Sequence, residues 1–214
     1  MKTIYCISGL GADEKAFAKI RVPGYELKHL LWLTPIKNEP IAAYAKRMAE
    51  QITESNPVLM GLSFGGIMCI EIAKLVPVDK VILISSIPSH KQMPLWMKAA
   101  GKLKLNRIVP LNAHMKLMQP MQDFFIGAKG EKEKEIVRRY RQNVQQDYLE
   151  WAINAILNWK NDWKPANLYH IHGDADRIFP IKKVKPDCIV KGGTHFMIFS
   201  KATDVSSYLT DIAV

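Results

Sequence analysis

The chain has 214 residues, 48% of them hydrophobic and 23% charged, with 30 Lys and Arg against 20 Asp and Glu for a net charge of +10. That length suits one generous domain, or one domain with a small insertion, and no stretch nears the roughly 20 uninterrupted apolar residues of a membrane span. The three scattered cysteines, Cys6, Cys69 and Cys188, argue against a disulfide framework or a zinc site and read as small buried thiols.

Taken in chain order, Thr3–Ser8 reads as a buried strand that ends at Gly9-Leu10-Gly11, and Asp13–Ile20 as a short helix. Tyr25–Leu33 predicts a second strand, closed by Thr34-Pro35. Pro40–Ile52 predicts an amphipathic helix: Ile41, Tyr44, Ala45, Met48, Ala49 and Ile52 recur at helical spacing, and a proline suits the first turn. Val58–Leu62 is a third strand, and Phe64–Leu75 a helix apolar nearly all round, hence buried. Val81–Ser85, Asn167–Ile171 and Asp187–Lys191 predict three more strands, and a last helix runs from about Thr203 to Ile212. Strands alternating with helices predict a six-stranded, mostly parallel α/β sheet with helices on both faces. The alternation breaks once. About 80 residues, all helical in pattern, separate the fourth and fifth strands, whereas a crossover needs only a dozen or so. The excess is an insertion over 87–145, and the helix from Asp147 is the crossover proper. The domain reading is therefore a core of residues 1–86 and 146–214 with a helical lid at 87–145. The apolar run at the start of the sequence is too short for a secretory signal, so the expected location is the cytoplasm.

"MGLSFGG", Met60 to Gly66, places Ser63 between Gly61 and Gly65 at a strand-to-helix junction. The Gly-x-Ser-x-Gly pattern has mechanical content only there: the turn is too tight for side chains two positions either side of the serine. A serine hydroxyl needs a base, and the base needs an orienting acid. Of six histidines, His195 stands out because it follows Gly192-Gly193-Thr194 just after the last predicted strand, on the edge where parallel sheets carry their sites. His29, His90, His114, His170 and His172 read as structural or surface residues. No carboxylate lies between Asp79 and Asp123, so the acid must come from "IHGDADRIFP", where Asp174 and Asp176 both qualify by type.

Together these segments resemble the α/β-hydrolase superfamily. "PVLMGLSFGG" resembles its nucleophile elbow, "GGTHF" its histidine loop and "IHGDADRIFP" its HGxxDxxxP acid loop. The resemblance covers about residues 1–86 and 146–214. It implies Ser63 as nucleophile, His195 as base and Asp176, rather than Asp174, as acid. "ISGLG" sits where the family carries its oxyanion loop, which implies backbone N–H donors at Leu10 and Phe64; Ser8 replaces the usual histidine there. The family's first two strands have no counterpart.

The insertion holds half of the chain's ten methionines and most of its excess charge: twelve Lys and Arg against four Asp and Glu, a net +8. Trp96, Met97, Met118, Phe124 and Phe125 are the candidate substrate-pocket residues, set against the plainer reading that such side chains pack lid helices on the body. Lys98, Lys102, Lys104 and Arg107 form one basic cluster, and Lys132, Lys134, Arg138, Arg139 and Arg141 a second, interleaved with Glu131, Glu133 and Glu135. The plainer account is a solvated helix face; the sharper one is attraction of an anionic substrate such as a coenzyme-A thioester.

The expectation is a serine hydrolase cleaving a carboxylic ester or thioester of a small, partly hydrophobic molecule through an acyl-enzyme, with no cofactor and no metal. The alternatives are a non-catalytic small-ligand-binding protein on the same scaffold, or a C–C hydrolase or lyase using the same three residues. The +10 charge alone raises nucleic-acid binding, which no recognised motif accompanies.

Overall fold

Two-residue alternation along the strands builds a sheet that is apolar on both faces. In a computed structural model of the chain, which describes residues 1–104 and 119–213, six strands form one all-parallel sheet in the order β2-β1-β3-β4-β5-β6. They are β1 (Lys2–Ile7), β2 (Tyr25–His29), β3 (Val58–Leu62), β4 (Lys80–Ile84), β5 (Leu168–Gly173) and β6 (Cys188–Val190). Tyr5, Ile7, Leu59, Val81 and Leu83 face one layer, packed under α1 (Ile41–Ala49), α2 (Phe64–Ala73) and α6 (Gln146–Leu157). Ile4, Cys6, Met60, Ile82, Ile84 and Ile171 face the other, covered by a 3-10 turn at Glu14–Phe17 and by α7 (Met197–Ser200) and α8 (Ala202–Ala213). Burial on both faces, at about 25 cal/mol per Å² of apolar surface, is what holds such a sheet together.

β1 is flanked by β2 on one side and β3 on the other, so the chain reverses its direction of travel across the sheet at that point. A crevice opens at the carboxyl ends of strands at such a switch. The loops after β1 and β3, carrying Ser8–Leu10 and Ser63, lie there.

The expected second strand, Tyr25–Leu33, stops at His29. The reason is its neighbour. β1 ends at Ile7, and after the Leu30 N–H bond to the Cys6 carbonyl no partner strand remains among the described residues. The Gln51 side chain then takes over both backbone groups of Leu31, and the Tyr44 hydroxyl both those of Leu33. Trp32, between them, turns toward the crevice.

Between β4 and α6 lie α3 (Leu95–Lys102), α4 (Gln119–Ile126) and α5 (Gly130–Asn143). The acidic residues of α5 pair along its own surface, Glu131 with Lys134 and Glu135 with Arg138, while Arg141 reaches Asp123 of α4. The two exposed pairs within α5 contribute little to stability and mark a solvated face, whereas the Arg141–Asp123 pair is largely buried. Arg107, His114 and Met118 lie outside the described residues. Among the described residues, no helix is long and apolar enough to cross a membrane. Cys6 and Cys69 are buried thiols, and burial pushes both well above the usual thiol range, away from the reactive thiolate.

Candidate active site

Ser63 occupies the tight junction between β3 and α2, with φ +52° and ψ −116°, a backbone conformation that side-chain-bearing residues rarely adopt. Its neighbours hold it there. The Ser63 N–H donates to the Ile84 carbonyl at 2.9 Å, and the Ser63 carbonyl accepts from the Ser86 hydroxyl at 2.7 Å and the Gly66 N–H at 3.0 Å. The flanking glycines are steric necessities. A Cβ on Gly61 would lie 2.4 Å from the Gly65 backbone, and one on Gly65 would lie 2.1 Å from the Ile7 carbonyl oxygen and 2.5 Å from that of Ser8. Gly65→Ala is therefore expected to cost at least about 3 kcal/mol or to block folding, since backbone stands on both sides of the clash. Urea unfolding checks this; a midpoint near wild type would mean that α2 can slide away from β1.

The Ser63 Oγ lies 2.9 Å from His195 Nε2, and His195 Nδ1 lies 2.8 Å from Asp176 Oδ2. Asp176 is buried. Burial alone would raise its pKa, but the nearby His195, its hydrogen bond, His172 and the Phe179 N–H together hold the carboxyl below the usual range. It is therefore an anion, and an anion can only accept. His195 thus carries a proton on Nδ1, and in the neutral ring Nε2 is the bare acceptor that faces the serine hydroxyl. The other Asp176 oxygen accepts the N–H groups of Ile178 (2.8 Å) and Phe179 (2.9 Å). Asp174, the other carboxylate of this loop, is exposed and accepts the Gly192 N–H at 2.7 Å.

Phe64 opens α2, where the first N–H groups have no partner within the helix, and the loop carrying Leu10 abuts the serine: a Cβ on Gly9 would lie 3.5 Å from Ser63 Cβ. Among the described residues neither the Leu10 nor the Phe64 N–H has an acceptor. Ser8 closes this loop itself. Its hydroxyl donates to the Ala12 carbonyl at 2.6 Å and accepts from Trp32 Nε1 at 2.9 Å.

Trp32 also stacks on Phe64, with ring centroids 5.1 Å apart and planes 2° from parallel, and meets Tyr148 at 5.4 Å. Trp151 completes this aromatic wall, 6.0 Å from Phe64. None of Trp32, Tyr148 and Trp151 was singled out from the sequence. The available signal was position: Trp32 follows a strand at the sheet's carboxyl edge, and Tyr148 and Trp151 share the first turns of the crossover helix. Of the expected pocket residues, Trp96, Phe124 and Phe125 meet one another, Trp96 to Phe125 at 6.1 Å and Phe124 to Phe125 at 5.8 Å. Met97 is buried, in the core cluster that also contains Phe64, Tyr148, Ala152 and Ile156.

The carboxyl end of α4 is tied to both loops that carry His195 and Asp176. Arg177 donates to the Phe124 carbonyl at 2.8 Å and stacks over its ring, the Phe196 N–H donates to the Ile126 carbonyl at 3.1 Å, and the Thr194 hydroxyl donates to the Gly127 carbonyl at 3.2 Å. These are the carbonyls that a helix end leaves without internal partners.

His170 and His172 lie buried behind Asp176. Burial pushes both below the usual imidazole range, His170 to about 3 with help from His172. A histidine with a depressed folded pKa stabilises the fold fully above its unfolded value near 6.5, and that contribution is lost as the pH falls below it. Stability is therefore expected to decline from about pH 6.5 downward, by up to about 1.4 kcal/mol per pH unit for each histidine. Urea midpoints between pH 8 and pH 5 test this, and a flat profile would contradict it. Among the described residues, no group of three or more His, Cys, Asp or Glu could hold a metal ion.

The architecture is that of the α/β-hydrolases, and the chain has the α/β-hydrolase fold. It is similar to a bromoperoxidase from Bacillus anthracis, with a TM-score of 0.74 and 16% identity over 99% of this chain and 91% of that one. It is also similar to an esterase from Exiguobacterium antarcticum, with a TM-score of 0.72 and 11% identity over 100% of this chain and 92% of that one. A meta-cleavage product hydrolase from Pseudomonas fluorescens gives a TM-score of 0.68 and 14% identity over 99% and 90%. No family model and no curated protein matches the sequence.

Proposed function

We propose that the chain is a serine hydrolase that cleaves a carboxylic ester or thioester of a small, partly hydrophobic molecule. The observation that carries this reading is the unbroken hydrogen-bonded line from Ser63 Oγ through His195 to Asp176. His195 Nε2 takes the hydroxyl proton as Ser63 Oγ attacks the carbonyl carbon. The resulting oxyanion is stabilised by the N–H groups of Leu10 and Phe64, the second at a helix amino end where the peptide dipoles favour negative charge. Nε2 returns the proton to the leaving alcohol or thiol as the carbonyl–leaving-group bond breaks. Water, deprotonated by the same nitrogen, then releases the acyl group from Ser63. Asp176 stays ionised throughout and holds the imidazole in its working tautomer.

Residues 87–145 serve as the lid over this centre, on a core of 1–86 and 146–214. Trp96, Phe124 and Phe125 of the lid and the wall of Trp32 and Tyr148 are the candidate contacts for the acyl group. The acid–base pairing along α5 favours the solvated-face account of the second basic cluster, so an anionic substrate draws no support from it. The test is labelling of the purified protein by a fluorophosphonate probe, with the adduct located by peptide mass, together with turnover of a panel of p-nitrophenyl esters and acyl thioesters. Reaction at Ser63 with ester turnover supports the reading; ligand binding without either would favour a non-catalytic scaffold.

A further inference from the structure

The acid loop is braced from beneath by two histidines that the hydrolytic steps do not use. His172, near the end of β5, is fully buried, and its Nε2 lies 2.7 Å from the Phe179 carbonyl oxygen. A carbonyl oxygen only accepts, so Nε2 carries the proton and Nδ1 of the neutral ring is a bare acceptor. His170 Nε2 lies 3.1 Å from that Nδ1 and must donate to it. The Phe179 carbonyl thus sets the tautomer of His172 and, through its Nδ1, calls for a proton on His170 Nε2.

Phe179 is the point where this brace meets the site. Its N–H, with that of Ile178, holds one oxygen of Asp176, and its ring stands edge-on to the imidazole of His195 at 5.7 Å. The other Asp176 oxygen has two imidazoles within reach, His195 Nδ1 at 2.8 Å and His172 Nε2 at 3.6 Å. The longer distance is outside hydrogen-bond range. Because the His172 proton is committed to the Phe179 carbonyl, that carboxylate oxygen is left to His195.

We propose that His172, oriented by His170, is a positioning residue that anchors the Asp176–Phe179 turn through the Phe179 carbonyl and thereby aims the Asp176 carboxylate at His195. The proposal rests on Ser63, His195 and Asp176 being the catalytic set. His172 touches no reacting atom; its effect passes wholly through the geometry of the acid. A small misalignment of a catalytic group lowers the rate of the chemical step more than it weakens substrate binding.

The test compares wild type with His172→Phe, which keeps a flat ring and removes the donor, and His172→Gln, which keeps an N–H able to reach the carbonyl. With p-nitrophenyl acetate, His172→Phe is expected to lose about ten- to a hundredfold in kcat with KM within about twofold, and His172→Gln to recover most of that loss. The rate of Ser63 labelling by a fluorophosphonate follows kcat. Equal kcat and equal labelling in folded His172→Phe, or no recovery in folded His172→Gln, would overturn the proposal. A measurement on wild type covers the case of variants that do not fold: long-range nitrogen–proton spectra at pH 7 must find both buried rings neutral and protonated at Nε2, and a charged or Nδ1-protonated His172 would overturn it equally. If wild-type Ser63 fails to label at all, it is the hydrolase reading itself that falls, whatever the tautomers.

Discussion

Under the proposed mechanism Ser63→Ala is expected to cut ester turnover by about 10⁴- to 10⁶-fold, because a nucleophile and its base act as one unit. The fold should remain. The hydroxyl's interaction is with His195, whereas the strained backbone at this position is held by Ile84, Ser86 and Gly66 through main-chain groups that the substitution leaves in place. Alanine does not relieve the positive φ, but glycine does. Ser63→Gly should be equally inactive yet more stable than Ser63→Ala by about 1 kcal/mol. Turnover of p-nitrophenyl acetate and urea unfolding of the two variants decide the matter. Residual rates within tenfold of wild type would remove Ser63 from the chemistry, and equal stabilities would mean that the turn carries no strain.

The second large effect is at the acid. Asp176→Asn is expected to lower kcat by about 10⁴-fold, for a reason that lies in hydrogen-bond direction. One carboxylate oxygen accepts two N–H groups, from Ile178 and Phe179, so an asparagine must put its carbonyl there and turn its amide toward His195. That amide donates to Nδ1, the imidazole proton moves to Nε2, and the base then offers a proton to Ser63 instead of a lone pair. Asp174→Asn should leave the rate nearly unchanged and cost about 1 kcal/mol through its weakened bond to the Gly192 N–H. If the two aspartates exchange these effects, the acid has been misassigned.

The parts of the site that were legible in the sequence are those that follow a strand directly. Ser63, Asp176 and His195 each sit within a few residues of a strand's carboxyl end, so the parallel sheet that brings the strands together also brings them together. Choosing Asp176 over Asp174 needed the resemblance, because residue type alone left both open. The aromatic wall was not legible. Trp32, Phe64 and Tyr148 come from separate elements, and no local pattern links residues that meet only after folding. Met97 was ambiguous for a different reason: an apolar residue at helical spacing looks the same in sequence whether it faces a cavity or a neighbouring helix. The length of β2 was not its own property at all, since it ends where β1 runs out of bonds to offer.

The three ties at the carboxyl end of α4 give the molecule an internal gauge. The amide of Phe196, one residue beyond the imidazole that would serve as base, is shielded by a carbonyl belonging to a helix of the excursion. The same N–H also lies 3.3 Å from the Thr194 hydroxyl, itself bonded to Gly127, so its exchange with deuterated solvent would report the openings in which the end of α4 and the His195 loop come apart.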